Sequence, residues 1–264
     1  FKYSEKNEDI LSLDEFMVKR LGRNKIKKFE RESLKEGKKI LNFLCSFNKP
    51  VFFIPGNWDQ SYGNSRMKNL NSSTYSHSKA FLDYYLGSKI NPKLIKGLGN
   101  IIDCQYKLRK FSNFNFIGYG LSSLGEKPNK NPKYKFGKNQ FEKLMISYNK
   151  LKRKLDNAYK KRNKKFPTIF LTHNIPYNTK LDILKNRKSE YHGKHFGSNV
   201  ARDFIEKHKP LLCIGGHMHE HFGKDKIGKT TIINAGFGKN VNTLIELDEE
   251  KGKIKKITFK KGRK

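Results

Sequence analysis

A mixed α/β fold is what this sequence predicts. Three observations carry it: short apolar runs of strand length, long stretches of helical periodicity between them, and a closing series of runs joined by turn residues. The 264 residues are enough for one well-filled domain of this class, read as spanning 1–264. Hydrophobic residues make up 35 %, a modest but sufficient supply for a core. No apolar run approaches the roughly 20 residues a membrane span needs, so no membrane contact is expected.

Residues 30–47 have amphipathic helical spacing, with Leu34, Ile40, Leu41, Phe43 and Leu44 as the expected buried members. Pro50 introduces the apolar run 51–54, a buried strand stopped by Pro55-Gly56. Runs 101–106 and 114–119 predict two more strands, the second ending between Gly118 and Gly120. Phe141, Leu144, Met145, Tyr148, Leu151, Leu155 and Tyr159 recur at helical spacing, predicting one helix over 138–163. Its other face carries Lys150, Lys152, Lys154, Lys160 and Lys161, expected to be solvated. Strand 168–171 runs into His173 and a polar loop, 174–198. Helix 199–208, strand 211–214 and the turn Gly215-Gly216-His217 follow. Strands are predicted at 230–234, 243–247 and 254–259, the last two joined by the hairpin turn Glu249-Glu250-Lys251-Gly252.

The charge balance is extreme: 57 basic against 24 acidic residues leave +33. A field of that sign attracts polyanions, so nucleic acid or nucleotides are admitted as partners. Lys is spread over nearly every segment, which a compositional bias on a solvated surface also produces. Cys45, Cys104 and Cys213 are odd in number and far apart. That argues against a disulfide framework or thiolate zinc site and for a reducing interior; a cytoplasmic location is expected.

Three places share one pattern, in which a buried strand ends and a metal-ligating residue type follows. They are Pro55-Gly56-Asn57-Trp58-Asp59, Leu171-Thr172-His173-Asn174 and Gly215-Gly216-His217-Met218-His219. The carboxyl edge of an α/β sheet is where such folds place their sites. His217 and His219 stand two apart, a spacing that puts both imidazoles on one side of an extended segment. Neutral imidazole is the commonest metal ligand.

In this order the three boxes resemble the calcineurin-like metallophosphoesterases. Gly56-Asn57-Trp58-Asp59 is similar to that family's Gly-Asn-His-Asp/Glu box, and Gly216-His217-Met218-His219 to its Gly-His-x-His box, with Thr172-His173 between them. The stretch Lys194-His195-Phe196-Gly197-Ser198, then a helix and Pro210, resembles a branch of small phosphodiesterase-like members. The resemblance implies a four-layer αββα sandwich of two mixed sheets with helices outside. It implies a hydrolase of phosphate esters, mono- or diesters, using two divalent transition metals (Mn, Fe or Zn) and a bridging hydroxide. Carried over residue by residue, Asn57, His173 and His217 bind one metal and His219 the other. His195 is the catalytic candidate in the loop, and Trp58 the substrate-binding one.

Two departures qualify the match. The family opens with Asp-x-His and Gly-Asp ahead of the Gly-Asn box, and residues 1–55 contain neither. Asn57, His173, His217 and His219 are all neutral, whereas two divalent ions about 3.5 Å apart repel by about 19 kcal/mol at an effective dielectric near 20. Carboxylates are needed, and the expectation is a chain truncated at its amino end, with both motifs upstream of Phe1. Second, Trp58 stands where the family has His; indole donates one N–H and has no acid function, so either stacking on a base or aromatic leaving group or packing over the metal loop is expected. The alternatives are a catalytically impaired polyanion- or nucleic-acid-binding protein on the same scaffold, and a nuclease of the same superfamily.

Overall fold

The computed structural model describes residues 20–56, 92–120, 126–127, 138–238 and 240–262. In chain order the elements are α1 (Arg23–Ser46), β1 (Val51–Phe53), α2 (Pro92–Ile95), β2 (Ile101–Asp103), β3 (Arg109–Phe111), β4 (Phe114–Tyr119) and α3 (Lys138–Tyr159). They continue with β5 (Thr168–Asn174), α4 (Asn199–His208), β6 (Leu212–Gly216), β7 (Gly223–Ile227), β8 (Thr230–Asn234), β9 (Val241–Asp248) and β10 (Lys253–Lys261). This mixed α/β architecture bears out the predicted class.

The centre is a six-stranded sheet in the order β3-β4-β5-β6-β8-β7. Its four inner strands run parallel and its two edges, β3 and β7, antiparallel. Parallel strands need cover on both faces. One face, with Ile117, Tyr119, Phe170, Cys213 and Ile232, packs under α3 and α4. Tyr148, Leu151, Leu155 and Tyr159 of α3, spaced three or four apart, all point into that layer, as do Val200, Ala201, Phe204 and Ile205 of α4. Fully burying one such Leu or Ile contributes about 1.5–3 kcal/mol. The opposite face, with Phe114, Ile169, Leu212 and Ile233, packs on Ile245, Leu247, Ile254, Ile257 and Phe259 of the β9–β10 hairpin. The parallel pair β1–β2 reaches the same side, where Phe52 stacks on Phe116 at 4.1 Å between ring centroids. The second layer, among the described residues, is therefore two two-stranded pieces.

Local chemistry explains the element ends. Ser198 caps α4 by accepting from the Ala201 amide, and the buried Glu126 accepts from the Ser198 hydroxyl and the Asn199 amide at the same terminus. Lys209 turns left-handed to close the helix, with Pro210 barring continuation. Asn115 binds the carbonyls of Asn163 and Phe166, which ends α3 four residues before the predicted limit and feeds β5.

Several expectations need correction. Of the apolar residues expected inside α1, Leu41 alone is buried; Ile40 and Phe43 are 62 % and 63 % exposed, Leu44 is also exposed and Leu34 is half-buried. One turn before Leu41, α2 packs close on α1, since a β-carbon on Gly37 would lie 3.0 Å from Leu94 Cδ1, whereas Phe43 meets its own helix neighbour Phe47 edge-on. The lysine face of α3 is solvated as expected at Lys150, Lys154, Lys160 and Lys161, and Lys152 alone of the five is half-buried, paired with Asp203. Strand 101–106 stops at Asp103, where the side chain accepts from the Gln105 amide and turns the chain. Strands β3 and β7 were not foreseen: as edges they bury little and read as polar.

The three cysteines are unpaired. Burial pushes the thiols of Cys104 and Cys213 up to about 12, so at pH 8 the reactive thiolate is on the order of 10⁻⁴ of each. Cys45, half-buried on α1, is expected to be the one thiol of the folded protein that reacts rapidly with a thiol reagent. Counting released chromophore before and after denaturant checks this, with one equivalent expected first and three in total.

Candidate metal centre

The site is built at the carboxyl edge of β5 and β6. These strands run parallel in register from Ile169↔Leu212 to Leu171↔Ile214, then slip, so that Asn174 pairs with Gly216. Three residues on β5 thus oppose two on β6. A bulge of this kind re-aims side chains where pairing ends, and His173 sits inside it. His173 is the penultimate residue of β5 and not, as expected, just past the strand; His217 directly follows β6. Their rings meet at 4.7 Å between centroids and 63°.

His217 has φ 65°, a left-handed conformation that costs a β-carbon-bearing residue about 1–2 kcal/mol. The Met218 amide closes the turn on the Gly216 carbonyl at 2.7 Å, and the Met218 carbonyl accepts from Asn234 and from the His221 amide. The segment is therefore a tight turn, not extended; His217 and His219 both lie near His173, and His219 stacks its ring on Phe237 at 4.7 Å and 24°. Gly215 is required below the turn, because a β-carbon there would lie 2.8 Å from Thr172 Oγ1 and 2.9 Å from Ile175 Cδ1.

Burial, then the neighbouring His217 and His219, push His173 down to about 3. The imidazole is neutral at every physiological pH, the form that ligates metals. Next in sequence, Asn174 is fully buried; its amide donates to the Phe196 carbonyl at 2.8 Å, while its Oδ1 has no hydrogen-bond partner among the described residues. An unsatisfied buried acceptor is costly, and a cation or its water would satisfy it. The imidazole pair of His173 and His217 fits part of a transition-metal shell. Among the described residues no group of three His, Cys, Asp or Glu stands close enough to hold a metal alone. Asn57 and Trp58 lie outside the described residues.

The approach to Asn57 is nevertheless visible. Past β1 the chain crosses the end of β4, and a β-carbon on Gly118 would lie 2.3 Å from Ile54 Cγ2, one on Gly120 2.1 Å from the Pro55 carbonyl oxygen. These glycines let the backbone pass at contact distance, one strand away from His173, since Thr172 pairs with Tyr119.

His195 lies in the loop between β5 and α4, in an antiparallel bridge with Ile183. Its Nδ1 is 2.7 Å from Oδ1 of Asp182, a carboxylate with no exposed surface. Asp182 and Asn174 went unremarked from sequence, although an acid flanked by Leu181 and Ile183 in a polar loop was a usable signal. Phe237 carried none.

A family profile described as calcineurin-like phosphoesterase matches residues 29–221. An uncharacterized protein of Methanocaldococcus jannaschii is 33 % identical over 129 residues, 48 % of this chain and 50 % of that protein, so the chain spans about half the length of this curated relative. One crystal structure aligns over 91 % of this chain and 77 % of its own with a TM-score of 0.51 at 17 % identity, which shows a shared fold. The crystal structure of TT1561 of Thermus thermophilus aligns over 87 % and 80 %, with a TM-score of 0.42 and 15 % identity. The profile covers most of the chain and takes in both strand-end histidines, and on that ground the chain belongs to the calcineurin-like phosphoesterase family.

Proposed function

We propose that this protein is a metal-dependent hydrolase of phosphate esters. The observation that carries the reading is the His173–His217 ring pair at the sheet's carboxyl edge. His173 and His217 would hold one metal with Asn57, and His219 a second; Mn, Fe and Zn all suit nitrogen, amide and carboxylate ligation. A metal bound there supplies polarisation of a phosphoryl oxygen and acidifies a water. The protein's own part is positional: the bulge aims His173, the strained turn aims His217, and Phe237 braces His219. Trp58 would pack on the leaving group.

The basic residues Lys107, Arg109, Lys154 and Lys161 line one open cleft beside α3, which favours a nucleic acid or nucleotide as the phosphate ester. Unpaired cysteines favour a cytoplasmic location; among the described residues no helix is long and apolar enough to cross a membrane.

The test is metal content by plasma emission together with turnover of an aryl phosphodiester and an aryl phosphomonoester by the full-length protein. Bound transition metal, turnover with Mn²⁺ or Zn²⁺ and its loss in chelator are expected. A metal-free protein inert to both esters under all these conditions refutes the reading.

A further inference from the structure

Hydrolysis of a phosphate ester forms a bond from a water oxygen to phosphorus and breaks the bond from phosphorus to the leaving oxygen. For an alkyl ester that oxygen must leave with a proton, and a positioned acid contributes about 10²–10⁴-fold. Resting on the reading above, we infer that Asp182 and His195 form the proton-delivering dyad of this site. Asp182 acts as the positioning residue that fixes which nitrogen of His195 faces the substrate.

The dyad is built, not incidental. Asp182 Oδ1 accepts from the Thr179 amide at 2.8 Å and from His195 Nδ1 at 2.7 Å. Oδ2 accepts from the Gly197 amide at 2.9 Å and the Asn178 amide at 3.1 Å. Four N–H donors from both sides of the loop, with the Thr179 hydroxyl at 3.3 Å, thus converge on one buried carboxylate. Gly197 has no room for a side chain, since its β-carbon would lie 2.6 Å from Asp182 Oδ2. With Nδ1–H committed to Asp182, Nε2 is the nitrogen of His195 that can exchange a proton. His195 is half-buried, its side chain keeping 28 % of its surface exposed.

Two tethers hold this loop against the metal site. The carbonyl of Phe196, next to His195, accepts from Asn174, next to His173. The carbonyl of Ile183, next to Asp182, accepts from Nε2 of His221 at 2.5 Å, two residues past His219. His195 is therefore stitched between the two strand ends that carry the metal-binding histidines. In the step itself, protonated His195 gives the Nε2 proton to the leaving oxygen as its bond to phosphorus breaks. The neutral Nδ1–H tautomer remains, and the water consumed in the reaction returns a proton to Nε2, so the alcohol and the phosphate product balance.

The experiment uses full-length, histidine-¹⁵N-labelled, zinc-loaded protein and its Asp182→Asn and His195→Gln variants. Long-range nitrogen–proton spectra report each ring's tautomer, the His195 signals being those missing from His195→Gln. A neutral His195 protonated at Nδ1, shifting toward Nε2–H in Asp182→Asn, is expected. Turnover of alkyl esters should fall about 10²–10⁴-fold in kcat for His195→Gln, with KM little changed and aryl esters losing much less. His195→Gln leaves the Asp182 contacts to Thr179 and Gly197 in place, so a folding failure of Asp182→Asn does not blunt the test. An Nε2–H tautomer in the unaltered protein, or equal losses for alkyl and aryl esters, overturns the assignment and leaves the phosphoesterase reading standing. A protein that hydrolyses neither class overturns both.

Discussion

Replacing His217 by Gly is expected to remove about 10³-fold or more of the phosphoester turnover while leaving the fold as stable as before, or about 1 kcal/mol more stable. The two halves of that expectation come from different physics. A metal's stabilisation of transition-state charge is worth several kcal/mol, each 1.36 kcal/mol being tenfold in rate, and His217 is one of the two imidazoles that meet at the strand ends. Its φ of 65°, however, is a conformation glycine adopts at no steric cost. A histidine kept there against its backbone preference is strain held at a functional position. A ring serving only to fill space would show the reverse, with activity retained and stability lost. His173→Ala is expected to match the activity loss without the stability gain, since its backbone is not left-handed and holds no such strain to release. Turnover at saturating Mn²⁺ or Zn²⁺ and thermal melting of each variant decide it. Retention of most activity by both variants would contradict the ligand assignment.

The fold was legible where burial and local chemistry agree. For β4, α4 and β8 the predicted and observed limits coincide, because each is an apolar run closed by a turn or cap that its own sequence supplies. For α1 the helix was legible and its inner face was not: periodicity marks an apolar stripe but not which part of it another element covers, and here Leu41 is buried while Ile40 and Phe43 are exposed. The site divides in the same way. The histidines stand out by type and spacing, but their aim is set by a bulge between Leu171 and Asn174 and by a left-handed residue after Gly216. Neither leaves a periodic trace. The Asp182–His195 pair joins positions thirteen apart through a loop, a closure that only the folded chain reveals. Edge strands β3 and β7 escaped because one partner strand and little burial leave them polar.

Gly120→Ala is expected to cost about 1–3 kcal/mol of stability, the range for forcing atoms into a packed site, and to lower turnover more than that loss of folded protein accounts for. The new β-carbon would stand 2.1 Å from the Pro55 carbonyl oxygen and 2.8 Å from its ring Cδ. Neither is the end of a flexible side chain, so relief requires the backbone to move. On one side of the contact is the end of β4, where the Gly120 amide donates to Gln105 at 2.6 Å. On the other is Pro55-Gly56, which leads directly into Asn57 and Trp58. The edge of β4 is the better anchored of the two, being paired to β5 along Asn115–Tyr119, so the displaced partner is the Pro55 segment. If Asn57 shares a metal with His173 and His217 as proposed, movement there should lower the metal affinity alongside the rate. Gly99→Ala is the control: a β-carbon there meets nothing within 4 Å, and both stability and turnover should stay close to the parent. Thermal melting, turnover at a temperature where both variants are folded, and metal content after dialysis separate the outcomes. If Gly120→Ala loses stability but keeps its rate and its metal, the crossing of Pro55 over β4 is a packing contact alone and does not place Asn57.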